Sequence, residues 1–478
     1  QSDSRHGEGD GSPPSTGYSP IPSFMIDSNV WKAALISLSL LVSPAVAETF
    51  RRDQRVLPLP GQLDAVPMVN DNNPELIEQE GILFSTFEAG GEASINVSLN
   101  GRFDLFSHHV YAGTDDSLES TLWLALLMAP QGDEPVKLTL LEGSTSLSQA
   151  TQKGQTAAPF LPLPALMRET TEIVAAGPGS RVAGDLLSRR RATELTARDW
   201  TLQPRAVTRL LQLPIPVQGL DPLLNGRNLQ LRFHSSGPVH LATLASHGEG
   251  HQAPSDQDWI ALLNQEKLSR KEHKPTPRGK RGPIVYSRVS GVQIGSRWQA
   301  RLNDPGQDSL SINGQPVSWP ISSLERGTLG TGQVQTAELE AFYPGTAWAA
   351  HGNYGVEYDL TLPLHNRGSN RQTLVVSLES PLKTDRAIGG LRFRSDAKGP
   401  VMFRGPVEVN GLHDEKERPL GRQTVHLVLR QGQEGPPLGE LSLRPGERKD
   451  VRIRLIYPAD ATPPQVITVQ PVKQSSTR

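Results

Sequence analysis

The sequence contains no cysteine among its 478 residues. This absence excludes disulfide bonds, thiolate nucleophiles and metal sites built on cysteine. Aromatic residues are also few, at 5% of the chain, and the formal net charge is only −2. A chain so close to neutral lacks the basic excess that binding to nucleic acid requires, so we expect no nucleic-acid partner.

Long apolar runs are scarce, and the one exception is WKAALISLSLLVSPAVAETF at Trp31–Phe50. Its unbroken apolar core, Ala33–Val42, is shorter than the about 20 residues that cross a membrane. A lysine precedes the core, and Ala-Val-Ala at residues 45–47 has the form that signal peptidase reads. We therefore expect a disordered extension over residues 1–24 and a signal peptide over residues 25–47, with a retained signal anchor as the alternative. Cleavage would leave an exported chain, periplasmic or at the cell surface, with no membrane span.

Most other apolar runs are short, and their apolar and polar residues alternate. Examples are Val136–Leu141, Leu229–Phe233, Leu374–Leu378, Thr424–Leu429 and Val451–Ile456. Alternation of this kind between Gly, Pro and Asn predicts half-buried antiparallel strands. Only two helices are predicted, one starting at Ser180 and one over Ser255–Leu268 with Ser255 as its N-cap. The fold class expected is all-β, built from β-sandwich-like domains with a few short helices.

Three pairs of segments recur in the same order and at similar spacing. They are Glu80–Leu83 and Arg326–Leu329, Thr121–Leu141 and Tyr358–Leu378, and Trp200–Pro214 and Leu441–Pro458. The pattern predicts a tandem duplication, with β domains over residues 56–246 and 284–472. Chance similarity among short alternating strands is the alternative interpretation.

Between these domains, residues 247–283 contain the second predicted helix and a basic stretch, LSRKEHKPTPRGKRGP. This stretch has six Lys or Arg residues against one Glu. Arg278, Lys280 and Arg281 are candidate contacts for an acidic polymer such as an anionic glycan. A solvated, proline-stiffened linker is the alternative, and it is favoured because no aromatic residue lies among the charges.

Five segments resemble a known family. They are LPGQLDAVPMVNDNNPELIEQEGIL, PIPVQGLDPLLNGRNLQLR, RGTLGTGQVQ, AAHGNYGVEYDLTLPLHN and YPADATPPQVITVQ. Together they resemble a family of exported cyanobacterial proteins known as a domain of unknown function, number thirty-three seventy. The resemblance covers Val56–Val469 and implies a cyanobacterial source and export. It implies no activity and no catalytic residues.

Histidines supply the remaining candidate sites. His108 and His109 precede the first repeated strand pair, and His351 and Tyr354 precede the second, so each domain has a candidate contact region. Histidines hydrogen-bonded to the backbone are the alternative. The stretch HGEGH at residues 247–251 has metal-ligand residue types but lacks the helical spacing of a zinc peptidase, so we interpret it as a surface loop. No motif in the sequence indicates a cofactor or a catalytic centre.

Three functions remain open from the sequence. The first is a non-catalytic envelope or surface protein that binds glycan or other envelope proteins through loops and sheet edges. The second is a periplasmic assembly factor or chaperone, and the third is a polysaccharide-acting hydrolase with a dispersed site. Because no catalytic motif is found, the first is favoured, while oligomeric state and the identity of the ligand stay open.

Overall fold

The computed structural model describes residues 48–114, 121–151, 155–157, 160–162, 173–175, 177–248, 252–271, 273–396 and 398–472. The predicted extension and signal peptide therefore lie outside the described residues. The helices are α1 (Pro178–Leu187) and α2 (Asp256–Asn264). The strands are β1 (Thr49–Asp53), β2 (Arg55–Val56), β3 (Gln62–Leu63), β4 (Pro67–Leu76), β5 (Gly81–Ser85), β6 (Leu99–Ala112), β7 (Thr121–Pro130), β8 (Val136–Leu147), β9 (Phe160–Pro162), β10 (Ile173–Ala175), β11 (Asp199–Leu202), β12 (Thr208–Pro216), β13 (Leu224–Ser246), β14 (Val289–Ile294), β15 (Arg297–Arg301), β16 (Val317–Ile321), β17 (Leu339–Phe342), β18 (Glu357–His365), β19 (Gln372–Glu379), β20 (Gly390–Arg394), β21 (Val401–Asn410), β22 (Gln423–Arg430), β23 (Pro437–Leu443), β24 (Arg448–Ile456) and β25 (Gln465–Pro471).

The first half of the fold is organised around β13, which pairs with four other strands. Its first part pairs with β6 and β8, and its last part pairs with β7 and β5. One long strand therefore belongs to two layers, which enclose a core containing Phe103, Leu231, Leu241 and Phe233. Alternation along β13 places Leu229, Leu231 and Phe233 on the same face, as expected for a strand of period two.

The second half consists of two separate sheets around one core. The order of one sheet is β2-β16-β25-β19-β23, and that of the other is β22-β21-β24-β18-β15-β3. Trp319, Val376 and Ile467 from the first sheet share a buried cluster with Leu360 and Ile453 from the second. The expected all-β, sandwich-like fold class is thereby confirmed, whereas the duplication stays a prediction.

Strand pairing crosses the predicted domain boundaries at several places. β14 joins the first-half sheet by pairing with β4, while β2 and β3 join the two second-half sheets. β1 pairs with β20, more than 300 residues away. Residues 47–478 form a single compact unit by their contacts. The division into residues 56–246, 247–283 and 284–472 stays a prediction.

The helix predicted over Ser255–Leu268 is present, but it is shorter. Ser255 is the N-cap of a capping box with Asp258, as its position before an apolar stripe indicates. Trp259 is fully buried on this stripe. The helix ends at Asn264 because the chain turns at Glu266, whose φ is 53°, and Leu268 then bridges to β5.

The other helix begins two residues before the predicted Ser180. Pro178 occupies its first turn and Gly177 is the N-cap. The carboxylate of Asp460, from the second half, accepts a hydrogen bond from the Ser180 backbone N–H at 2.7 Å. A Cβ atom at Gly177 would lie 2.3 Å from Asp460 Cγ, so only glycine fits there. The cap is supplied from a distant part of the chain, which is why the sequence did not show it.

Candidate functional site

Three residues identified from the sequence meet at one cleft on the protein surface. Lys280 and His351 line this cleft, and Arg278 contacts Trp348, another lining residue. The lining comes from within residues 275–286, 324–326, 334–338 and 347–351. The volume of the cleft is about 380 Å³, which lies in the range of small-molecule sites.

The basic segment forms one wall of the cleft because it is held against the second half. The Arg288 guanidinium donates to the backbone oxygens of Ser269 and Arg270 at 2.7 Å each, which fixes both ends of the segment. Ser287 Oγ donates to the backbone oxygen of His273 at 2.8 Å. Arg326 donates to the backbone oxygen of Lys280 across the cleft. These hydrogen bonds hold the beginning of the segment to the fold, whereas residues 277–283 are exposed, and the linker stays a prediction.

Two aromatic rings give the cleft its apolar character. Tyr286 is 42% exposed and meets the His351 ring edge-on, with centroids 4.8 Å apart. His351 Nε2 hydrogen-bonds the backbone oxygen of Ser287 at 2.9 Å, which fixes the orientation of its ring. The Trp348 ring is half-buried and carries the Arg278 guanidinium 4.3 Å from its centroid, a cation–π contact.

Charged groups of both signs surround these rings. Glu338 pairs with Arg278, and Glu325 is an exposed carboxylate in the lining. Burial raises the pKa of the Tyr286 phenol, against the opposing charge of Arg326. The phenol is therefore a neutral hydroxyl near pH 7, able to donate and accept hydrogen bonds. The cleft thus combines apolar ring surface with both donors and acceptors.

The loop that forms the second wall has an unusual backbone. Ser322, Arg326 and Leu329 have φ values of 58°, 65° and 51°, in the left-handed region that residues other than glycine rarely adopt. Such conformations persist only where surrounding contacts hold them, and they cluster at binding sites. The strained loop is therefore a structural signal that points to the cleft.

A buried hydrogen-bond network beneath the cleft holds this loop. The Tyr358 hydroxyl accepts from the Ser322 backbone N–H at 3.0 Å and from Asn353 Nδ2 at 2.8 Å, and it donates to Gln335 Oε1 at 3.0 Å. Ser322 Oγ in turn accepts from the Asn353 backbone N–H at 2.9 Å. Because buried polar groups are costly when unpaired, these hydrogen bonds stabilise the loop in one conformation.

His108 and His109 lie far from this cleft in the fold, on β6 of the first half. His109 is fully buried, and its Nε2 lies 3.0 Å from Asp71 Oδ2. Thr243 Oγ1 donates to the same carboxylate oxygen at 2.6 Å. Burial, with a further contribution from His109, lowers the pKa of His108 to about 4, so His108 is neutral near pH 7. These groups form an internal polar layer of the first half.

The other residues expected to contact a ligand also lie outside the cleft lining. Tyr354 is half-buried, donates to the backbone oxygen of Ala461 at 3.0 Å and stacks on Phe106 with centroids 6.3 Å apart. Arg281 is exposed beside the basic wall. Part of the HGEGH stretch, residues 249–251, lies outside the described residues. Among the residues that the structure does describe, no group of three or more His, Asp or Glu side chains could hold a metal ion.

Sequence reasoning missed the two rings that define the cleft. Tyr286 follows the basic segment by only a few positions, just beyond its predicted end at residue 283. Exposed Val285 beside it was a signal, because adjacent exposed apolar and aromatic residues mark contact surfaces. Trp348 lies in an alanine-rich stretch, TAWAA, without alternation or charge, so no local pattern indicated its role.

Fold and site together define the class: an all-β protein of two sandwich-like halves with an aromatic surface cleft. No helix within the described residues combines the length and the apolar character needed to cross a membrane. The chain belongs to the family described as "Protein of unknown function (DUF3370)", whose model matches residues 54–471. The family resemblance expected from the five sequence segments is confirmed.

Comparison with other proteins adds little. No curated protein matches the chain. Among solved structures, the 11S allergen from Cocos nucifera L. matches at 10% identity over 77% of this chain and 80% of the allergen, with a TM-score of 0.10. The coconut allergen cocosin matches at 10% identity over 77% and 76% of the two chains, with a TM-score of 0.09. At such scores the likeness supports no conclusion about fold or function.

Proposed function

We propose that this protein is a non-catalytic, exported envelope or surface protein that binds glycan in the cleft. The observation that carries the proposal is the presence of both Tyr286 and Trp348 in the lining of a cleft that also presents donors and acceptors. A sugar ring has an apolar face of C–H groups and a rim of hydroxyls. Aromatic rings complement the face, and mixed polar groups complement the rim.

The character of the lining supports glycan over other ligands. Apolar side chains such as Ile284, Val285 and Val334 alternate with Lys280 and Thr336 around the cleft. A purely apolar ligand would leave the charged groups unpaired, and a purely ionic ligand would leave the rings unused. Export and a cyanobacterial source belong to the same proposal, and they rest on the signal-peptide pattern and the sequence resemblance.

The test is retention of the chain by envelope polysaccharides in affinity electrophoresis. Tyr286→Ala and Trp348→Ala should each weaken retention by about tenfold or more, because aromatic anchors dominate such contacts. Phe342→Ala is the matched control, because Phe342 is also a partly exposed ring, at 38%, and does not line the cleft. Equal retention of all three variants would reject the cleft as the binding site.

Two further readouts separate the competing functions. Release of reducing ends from the retained polysaccharide would contradict a non-catalytic role and favour a hydrolase. Recovery of envelope proteins without polysaccharide would favour an assembly factor. Neutralising Arg278, Lys280 and Arg281 to glutamine reports on the class of glycan, since loss of retention on neutralisation indicates an acidic one.

A further inference from the structure

A second recess lies where the two halves of the fold meet, and arginine dominates it. Its volume is about 260 Å³. We call it the arginine recess, and it is lined by Glu142, Arg189, Arg232, Arg297, Glu357, Glu408, Asn410, Arg422, Arg452 and Arg454. Glu142 and Arg232 come from β8 and β13 of the first half, and most of the others come from sheets of the second.

Most of these charges belong to one closed network. Arg232 pairs with Glu142 at 2.8 Å and with Glu357 at 2.9 Å. Arg454 pairs with the same Glu357 at 2.8 Å and with Glu408 at 3.0 Å. Glu357 is therefore shared by arginines from both halves, and its side chain is only 4% exposed.

The other arginines of the network also pair with acidic side chains. Arg452 holds Asp359 with two hydrogen bonds of 2.7 Å, and Arg297 pairs with the same carboxylate. Arg102 pairs with Asp104 on the first-half side. Five arginines thus face five carboxylates, so the network is balanced in formal charge. It joins the two halves through the pair of Arg232 and Glu357.

Two arginines that line the recess do not belong to this ion-pair network. Arg189 follows α1 and Arg422 precedes β22, and both side chains are exposed. Neither guanidinium forms an ion pair or hydrogen bond with any residue in the described part of the chain. Six arginines and three glutamates line the recess, so Arg189 and Arg422 add positive charge there that favours an anion.

We infer that the arginine recess binds an oxyanion group, a phosphate, sulfate or carboxylate, between Arg189 and Arg422. Guanidinium groups present paired N–H donors that match the oxygens of such groups. The Asn410 amide lines the same recess and adds a neutral donor. The inference is independent of the glycan proposal, because no residue of the cleft takes part.

The experiment is calorimetric titration of the full chain with inorganic phosphate, sulfate and acetate at constant ionic strength. The native chain should bind at least one of these, and the R189A/R422A variant should bind it about tenfold or more weakly, because charge-assisted hydrogen bonds are lost. The rank order of the three anions distinguishes a phosphate or sulfate group from a carboxylate. Arg422→Lys keeps the charge but removes the paired N–H donors of the guanidinium, so we expect a partial loss of anion affinity.

The matched control is R198A/R386A, which removes two exposed arginines outside both the cleft and the recess and the same formal charge. Equal weakening in the control, or no binding of any of the three anions by the native chain, would overturn the inference. Without anion, R189A/R422A should melt at the native temperature or slightly above it, because neither arginine has a partner to lose. A lower melting temperature would assign both arginines to the fold and would also overturn the inference.

Discussion

The two halves of the molecule share an order of strand pairing, but they differ in the connections between strands and in their cores. In the first half, β4-β6-β13-β8-β11 form one layer, with β4 parallel to β6 and the other neighbours antiparallel. In the second half, β2-β16-β25-β19-β23 form the corresponding layer, with β2 parallel to β16 and the others antiparallel. In the opposite layers, β12 pairs with β7 as β24 pairs with β18.

The halves differ in the connection between corresponding strands. β6 and β7 are joined by residues 113–120, whereas β16 and β18 are joined by residues 322–356, which include β17. The longer connection contains the strained loop, the Trp348 ring and His351. The difference teaches that a similar order of strands forms the scaffold of both halves, while the longer connection in the second half contains the candidate site.

The halves also differ in what fills the space between their layers. The first core is divided into three apolar clusters, and the buried Asp71, His109 and Thr243 lie in the same half. Most of the second core is a single cluster, which includes Leu360, Ile453 and Ile467. In the first half, a buried carboxylate shared by His109 and Thr243 thus lies beside several smaller apolar clusters, whereas the second half has one larger apolar cluster.

Asp71→Ala tests this difference between the halves with the largest expected effect on stability. It leaves His109 Nε2 and Thr243 Oγ1 buried without their shared carboxylate, and we expect a loss of about 3 kcal/mol or more in the free energy of unfolding. The measurement is urea unfolding. Asp133→Ala is the control, because Asp133 is 80% exposed and pairs only with exposed Arg205, so its loss should cost about 0–1 kcal/mol. Equal costs would show that the polar layer does not stabilise the first half.

Acid unfolding tests the charged network on the second-half side, where Asp359, Arg452 and Arg297 all lie. Burial alone would raise the pKa of Asp359, but hydrogen bonds and charge from Arg452 and Arg297 outweigh it and lower the pKa to about 2. The folded state therefore binds this proton less readily than the unfolded state, and stability present above about pH 4 is lost as the pH falls towards 2. The loss is about 2 kcal/mol. In Asp359→Asn this part of the acid dependence should vanish, and an unchanged pH profile would contradict the assignment.

Tyr358→Phe tests the support beneath the cleft with a smaller expected effect. It removes one hydroxyl from the network that holds Ser322 and Asn353, and we expect a loss of about 1–2 kcal/mol in stability. Glycan retention should fall as well, because the strained loop loses its anchor. Tyr111→Phe in the first half is the comparison, and it should leave retention unchanged. A loss of stability without a loss of glycan retention would show that the network does not support glycan binding in the cleft.

Arg278→Gln should have the smallest effect on the fold. Arg278 and Glu338 are both mostly exposed, at 63% and 57%, and such pairs contribute about 0–1 kcal/mol. We expect an unfolding midpoint within error of the native chain, measured by urea titration. A large destabilisation would mean that the rim of the cleft serves the fold and not a ligand.

Local pattern was enough to predict strands such as β8 and β24 and the start of α2, because alternation and the Ser255 N-cap act over a few residues. It was not enough to predict that β14 pairs with β4, or that Asp460 caps α1, since both contacts join distant parts of the chain. The cleft shows the same limit. Lys280 and His351 were chosen for their chemistry, whereas their meeting with Tyr286 and Trp348 depends on how the basic segment packs.

The most direct test of the account is hydrogen–deuterium exchange of the full chain with and without the envelope polysaccharide that it retains. The account predicts that added protection is concentrated in residues 275–286 and 322–351, the two segments that contain the cleft lining, with little change in β6 to β8 of the first half. Protection confined to the first half, or binding without protection of either cleft segment, would contradict the claim that the lengthened connection carries the site.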